Sequence, residues 1–130
     1  MIDLATAVQT ALFEALRGSV TLAPVFQHVP ENQPPPVAIV GEGAIEPIGG
    51  KDSRFERHEI DIVTVIAGPG RKPLNALQEQ VRAALDAVDL PAQAGAELSA
   101  PVLLNTTTQL LDDGVTYYGA QRFLIFAQPA

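Results

Sequence analysis

A chain of 130 residues with 47% hydrophobic and 18% charged side chains has the composition of one globular unit, large enough to bury a core without a disulfide or metal staple. It contains no cysteine, which excludes thiolate chemistry and a disulfide framework. The net charge of −7, with only 8 Lys and Arg, argues against a surface that grips nucleic acid by counterion release.

Residues 3–17 predict an amphipathic helix, because Leu4, Val8, Ala11, Leu12 and Ala15 fall on one stripe. Asp3 suits its N-cap, and Gly18 suits a left-handed position at its C-terminus. No Lys or Arg precedes Arg17, so the segment lacks the basic start of a signal peptide, and no run of about 18 apolar residues occurs. A cytoplasmic protein with no membrane partner is the expectation. Next comes "VPENQPPPVAIVGEG", in which three prolines run into an apolar segment. Proline fixes φ and removes an amide donor, so the run reads as a stiff lead-in to a strand at Val37–Val40 that stops at Gly-Glu-Gly. A glycine-rich loop, Ala44 to Ser53, then leads to a longer strand within Arg54–Gly68. Its alternation places Glu56, His58, Ile60, Ile62, Thr64 and Ile66 on one face.

Pro73 fits the first turn of a second helix, with Leu74, Leu77, Val81, Ala84, Leu85 and Val88 as its apolar stripe and Pro91 as its end. The remainder predicts two strands around Asp113-Gly114, a hairpin turn signal, with Pro101 at an edge or a strand start. The order α-β-β-α-β-β is that of an α+β fold, a single domain over residues 1–130 with a mainly antiparallel sheet packed by two helices. Two features point outward. A 14-residue strand spans about 46 Å at roughly 3.3 Å per residue, so the last hairpin must bend or overshoot a compact domain, and its "NTTTQ" segment is polar on both faces. In addition, Phe123 to Phe126 and Ile62 to Ile66 present apolar side chains to both faces of the sheet. Either the helices divide between the faces or a neighbouring subunit covers the second, so self-association is expected.

Little in the sequence resembles catalysis. His58 with Glu56 supplies two metal ligands where a catalytic zinc site needs three, and the reading favoured is an exposed ladder of Glu56, Arg57, His58, Glu59 and Asp61. "GPGRKP" lacks the spacing and the Ser or Thr of a phosphate-binding loop and reads as a strand-to-helix turn. Asp112 and Asp113 are turn residues rather than an enclosed acid–base pair. Ser19, Ser53 and Ser99 lie in no nucleophile arrangement. No catalytic residue, metal ligand or cofactor is assigned.

The helix ending "ALFEALRG", the "VPENQPPPVAIVGEG" segment, the strand "GGKDSRFERHEIDIVTVIAG", the helix "GRKPLNALQEQVRAALDAVDLP" and the closing "YYGAQRFLIFA" together resemble the tail-completion proteins of long-tailed bacteriophages and gene transfer agents. These are also called tail terminators or neck proteins. The likeness covers essentially the whole chain. It implies a non-enzymatic part that assembles with itself as a ring, typically a hexamer, at the head-proximal end of the tail tube. Such a ring would stop tube polymerisation and dock the head connector, working in the host cytoplasm during assembly and residing in the particle's neck. DNA would pass through without being specifically bound, and an acidic surface suits that passage. The residues expected to contact a neighbouring subunit or partner are Glu46, Ile48, Lys51, Asp52 and Arg54 in the first loop region, and Asn105, Thr107, Gln109, Asp112, Asp113 and Tyr117 in the hairpin. The alternative is a dimeric α+β module binding a small ligand or a protein.

Overall fold

The computed structural model describes residues 3–130. In chain order the elements are α1 (Leu4–Ser19), β1 (Val25–Phe26), β2 (Val37–Pro47), β3 (Glu56–Ala67), α2 (Lys72–Leu85), β4 (Ala96–Leu98), β5 (Val102–Leu110) and β6 (Thr116–Pro129). The expected α+β framework is present, with two short strands, β1 and β4, added to it.

Asp3 caps α1 as expected: its carboxylate accepts from the Thr6 amide at 3.0 Å and the Thr6 hydroxyl at 2.6 Å. The helix does not end at Gly18. It continues to Ser19, and the extended Val20 closes it by donating its amide to the Leu16 carbonyl at 2.8 Å. Val20 is itself buried in the core, so the chain needs no left-handed residue to leave the helix. Helix α2 carries Pro73 in its first turn, where a missing amide costs nothing. It ends at Leu85, earlier than expected. The Asp86 carboxylate accepts from the Leu103 amide at 3.1 Å, which pulls the chain toward β5 and leaves Val88 outside the helix and 38% exposed.

The proline run does lead into a strand, since β2 begins at Val37. That strand does not stop at Gly41-Glu42-Gly43. The register against β3 shifts between Val40 and Gly43, so the glycines form a β-bulge and pairing resumes to Pro47. Glycine is required there because a Cβ on Gly43 would collide with the Glu59 carbonyl oxygen.

The sheet runs in the order β1-β2-β3-β6, and β4 and β5 share the far side of β6. Only β1 with β2 is parallel. β3 and β6 pair from Glu56↔Ala127 to Ala67↔Thr116. The last hairpin therefore does not overshoot the domain, because β6 is matched along almost its whole length by β3. One face of this sheet carries Val40, Ile62, Ile66, Phe123 and Ile125, and all of them join Leu4, Leu12, Leu16, Leu74, Leu77 and Leu85 of the helices in one buried cluster. Both helices thus lie on the same face rather than dividing between the two.

Under the Gln78 side of α2 this face turns polar. Gln121 donates to the Gln78 carbonyl at 3.1 Å, Gln78 donates to the Thr107 carbonyl at 3.3 Å, and Gly119 leaves the room these side chains occupy. The opposite face holds Ile39, Val63, Val65 and Leu124, all half-buried, around an Arg122–Asp61 ion pair at 2.9 and 3.2 Å. Phe55 covers part of it by stacking on Phe126, with ring centroids 5.6 Å apart.

Phe123 and Leu124 are neighbours on opposite faces, and they separate the two environments. Phe123→Ala empties a fully buried site and is expected to cost about 3–5 kcal/mol of unfolding free energy by denaturant titration. Leu124→Ala, on the half-buried face, is expected to cost clearly less in the isolated chain.

Candidate assembly surfaces

The two sides of the sheet end in incompletely covered strands. On one side β1 pairs only with Ala38 and Ile39, so among the described residues no strand pairs with the outer side of β2 from Val40 to Pro47. Beyond Pro47 the chain turns in a short loop. The Ile48 and Gly49 amides both donate to the Phe55 carbonyl, at 2.8 and 3.0 Å, and the Ser53 amide donates to the Gly50 carbonyl at 3.3 Å. This loop presents Lys51 and Asp52 to solvent, while Arg54 folds back on Glu56 at 3.2 Å. Glu46 and Ile48 are exposed beside them. The first loop region is therefore shorter than the sequence implies, because Ala44 to Pro47 belong to β2.

On the other side β5 is an edge strand, and Asn105, Thr107 and Gln109 are exposed along it. Its polar composition is that of an edge rather than a core strand. The tip is held by Asp113, which accepts from the Val115 and Thr116 amides at 2.9 and 2.8 Å and from the Thr116 hydroxyl at 2.5 Å. Those bonds hold the Asp113 carboxyl below its usual range, led by the Thr116 hydroxyl. Asp112 is exposed beside it. Tyr117 differs from the others, since it is half-buried and packs against the core.

The antiparallel registers put these two groups at opposite ends of the sheet. Pro47 leads to the first loop at the end where β6 finishes, whereas the Asp112-Asp113 tip lies at the end where β6 begins. They do not form one contiguous site. Exposed apolar side chains that sequence reasoning left out of the candidate group mark the same two edges: Ile45 on β2, and Val102, Leu104 and Leu110 on β5. In sequence they look like ordinary core positions, and only the strand order reveals them as edge residues.

His58 requires a correction. It is buried, not part of an exposed ladder, because the alternation that places Ile62 beneath the helices places His58 there too. Its Nε2 lies 3.0 Å from Glu56 Oε1, and Glu56 also holds Arg54. Among the described residues no group of three or more His, Asp or Glu side chains is placed to hold a metal. In the same residues no helix is long and apolar enough to cross a membrane.

The sequence profile described as "Tail completion protein gp17" matches residues 6–128, which takes in nearly all of both helices, the bulged β2 and all but the last residue of the final hairpin. The chain belongs to this tail completion family. The family is structural, and its members are components of tailed particles rather than enzymes. Among solved structures, a chain in "Virion of native gene transfer agent (GTA) particle" is similar at 19% identity and a TM-score of 0.87, covering 98% of this chain and 99% of that one. At that identity the likeness speaks for the fold. A search of curated proteins finds no match.

The Asp113 tip gives a pH prediction for this tail completion protein. Its folded carboxyl titrates below the unfolded one, so the stabilisation is fully present above the ordinary Asp range and is lost as pH falls through the lowered folded value. The melting temperature of Asp113→Ala is expected to fall below that of the parent by a constant margin between about pH 5 and 7. The margin should shrink below about pH 4.

Proposed function

We propose that this tail completion protein caps the head-proximal end of a phage or gene-transfer-agent tail tube as a homo-oligomeric ring, hexameric by resemblance. The ring ends tube polymerisation and offers a docking face to the head connector. The observation that carries this reading is the extent of the family match, which runs from residue 6 to residue 128 and so includes both candidate surfaces. The similar fold within a gene transfer agent virion supports it.

The physical features agree. The molecule spends its polar side chains on structure: Asp3 and Asp113 cap a helix and a turn, and Gln78 and Gln121 tie α2 to the sheet. Among the surfaces left outward are two strand edges with exposed apolar and charged side chains, which suit an assembly part. In this reading Glu46, Ile48, Lys51, Asp52 and Arg54 serve one contact region. Asn105, Thr107, Gln109, Asp112 and Asp113 serve another, with Tyr117 anchoring the hairpin. A net charge of −7 suits a channel through which DNA slides without being held. Assembly takes place in the host cytoplasm, and the finished ring stays in the particle's neck. The partners are further copies of the chain, the tail tube protein and the connector.

The test is tube growth. Purified tube protein polymerising from its initiator should give tubes of fixed maximum length when this protein is present, with the protein at one end in immunogold images. Tubes that grow equally long with and without it, or that carry it along their sides, would overturn the capping function.

A further inference from the structure

We infer that the polar junction under α2 binds one internal water molecule, held between the Thr64 hydroxyl, the Gln121 side-chain oxygen and the Gln78 side-chain amide. The site belongs to the single subunit and stands whatever the protein assembles with.

Two buried oxygens carry the inference. Thr64 is fully buried and Gln121 is 2% exposed, and among the described residues neither Thr64 Oγ1 nor Gln121 Oε1 has a hydrogen-bond partner. Sealed oxygens left unpaired cost folding free energy, and native interiors pair the large majority of them. Two in one place share a partner.

The strand register shows why they do not pair with each other. Ile62 stands opposite Gln121 and Thr64 opposite Gly119, so Thr64 and Gln121 are diagonal neighbours on the helix-facing side of the sheet. Diagonal positions stand about 7–8 Å apart. The Thr64 side chain is short, and the Gln121 amide is turned toward α2, where its Nε2 donates to the Gln78 carbonyl at 3.1 Å. Exchanging the amide nitrogen and oxygen does not help, because the Gln78 carbonyl can only accept. A single water spans a separation of this kind between two polar groups.

Gly119 brings a third group to the same place. A Cβ at this position would collide with both Gln78 Nε2 and Thr64 Oγ1, so the two polar atoms converge over the glycine. Gln78 Nε2 spends one hydrogen on the Thr107 carbonyl at 3.3 Å and keeps a second.

The chemistry selects the occupant. The Gln121 oxygen needs a donor, the second Gln78 hydrogen needs an acceptor, and the Thr64 hydroxyl can be either. A cation would meet the amide hydrogen and an anion the amide oxygen, so neither suits. Water donates and accepts at once, and about three bonds is usual for a buried one. Burial of all three side chains excludes a larger molecule. The water joins β3 and β6 to α2 and completes a polar chain that runs through Gln78 to the Thr107 carbonyl. It thereby helps to seat the β5 strand that carries Asn105, Thr107 and Gln109.

The test needs no partner protein. A crystal structure at atomic resolution should show a water within hydrogen-bond distance of both Thr64 Oγ1 and Gln121 Oε1. In solution, oxygen-17 relaxation dispersion counts long-lived internal waters. Thr64→Val should lower its amplitude by one water, whereas Thr64→Ser, which keeps the hydroxyl, should leave it unchanged. Thr64→Val should also lower the melting temperature, because it breaks a satisfied network. A dry, unpaired hydroxyl gives the opposite sign, since replacing it with a methyl of the same shape raises the melting temperature. Direct contact between the Thr64 and Gln121 oxygens in the crystal would overturn the inference. So would an amplitude that Thr64→Val leaves unchanged, equal losses in the Val and Ser variants, or a higher melting temperature for Thr64→Val. The crystal structure of the parent decides alone if the variants do not fold.

Discussion

The long antiparallel pairing of β6 with β3 is the constraint on which the rest of the molecule depends. It aligns Phe123 and Ile125 with Ile60 and His58 on one face, so a single apolar surface exists for α1 and α2 to cover. It also commits the opposite face to partial exposure, with the Arg122–Asp61 pair in its middle. Because β6 is the longest strand, its far side must be shared by two shorter strands, β4 and β5, and that leaves a stepped edge there. β2 stands on the other side of β3 and is itself covered only at its start. A fold built this way is finished inside and unfinished at both sides.

That asymmetry links stability to assembly. The core is made by apolar side chains that the helices bury completely, and removing one large member costs a sizeable part of the stability of a domain this small. The sides contribute little to the isolated chain, since their side chains already face water. They are therefore free to serve contacts between copies without weakening the subunit. The bulge at Gly41-Glu42-Gly43 belongs to this arrangement, because it lets β2 pass the close approach to β3 and carry Ile45 to an uncovered position.

Much of the fold was legible in the sequence, for reasons that are local. Helices α1 and α2 show the helical stripe and their starting residues, Asp3 and Pro73, and the last hairpin shows Asp113-Gly114. What escaped was decided by tertiary contact. Gly41-Glu42-Gly43 looks like a stop in isolation and becomes a bulge only because β3 lies beside it. β1 and β4 are too short to show any alternation. Val88 continues the stripe of α2 on paper, but the pull of Asp86 toward β5 ends the helix before it. Strand alternation had His58 on the correct face, and its charged neighbours suggested exposure where the helices impose burial. The two proposed contact regions were picked out by their turn chemistry, Gly49-Gly50 and Asp112-Asp113. Ile45, Val102 and Leu104 gave no such signal, because their place at an edge depends on the strand order.

The central claim is that this chain completes a tail as one closed ring at a single place. The most direct measurement is an electron cryomicroscopy reconstruction of the tailed particle that carries it. The account predicts a single ring of this fold between the tube and the head connector. Copies distributed along the tube, or a density for this fold outside the neck, would contradict it.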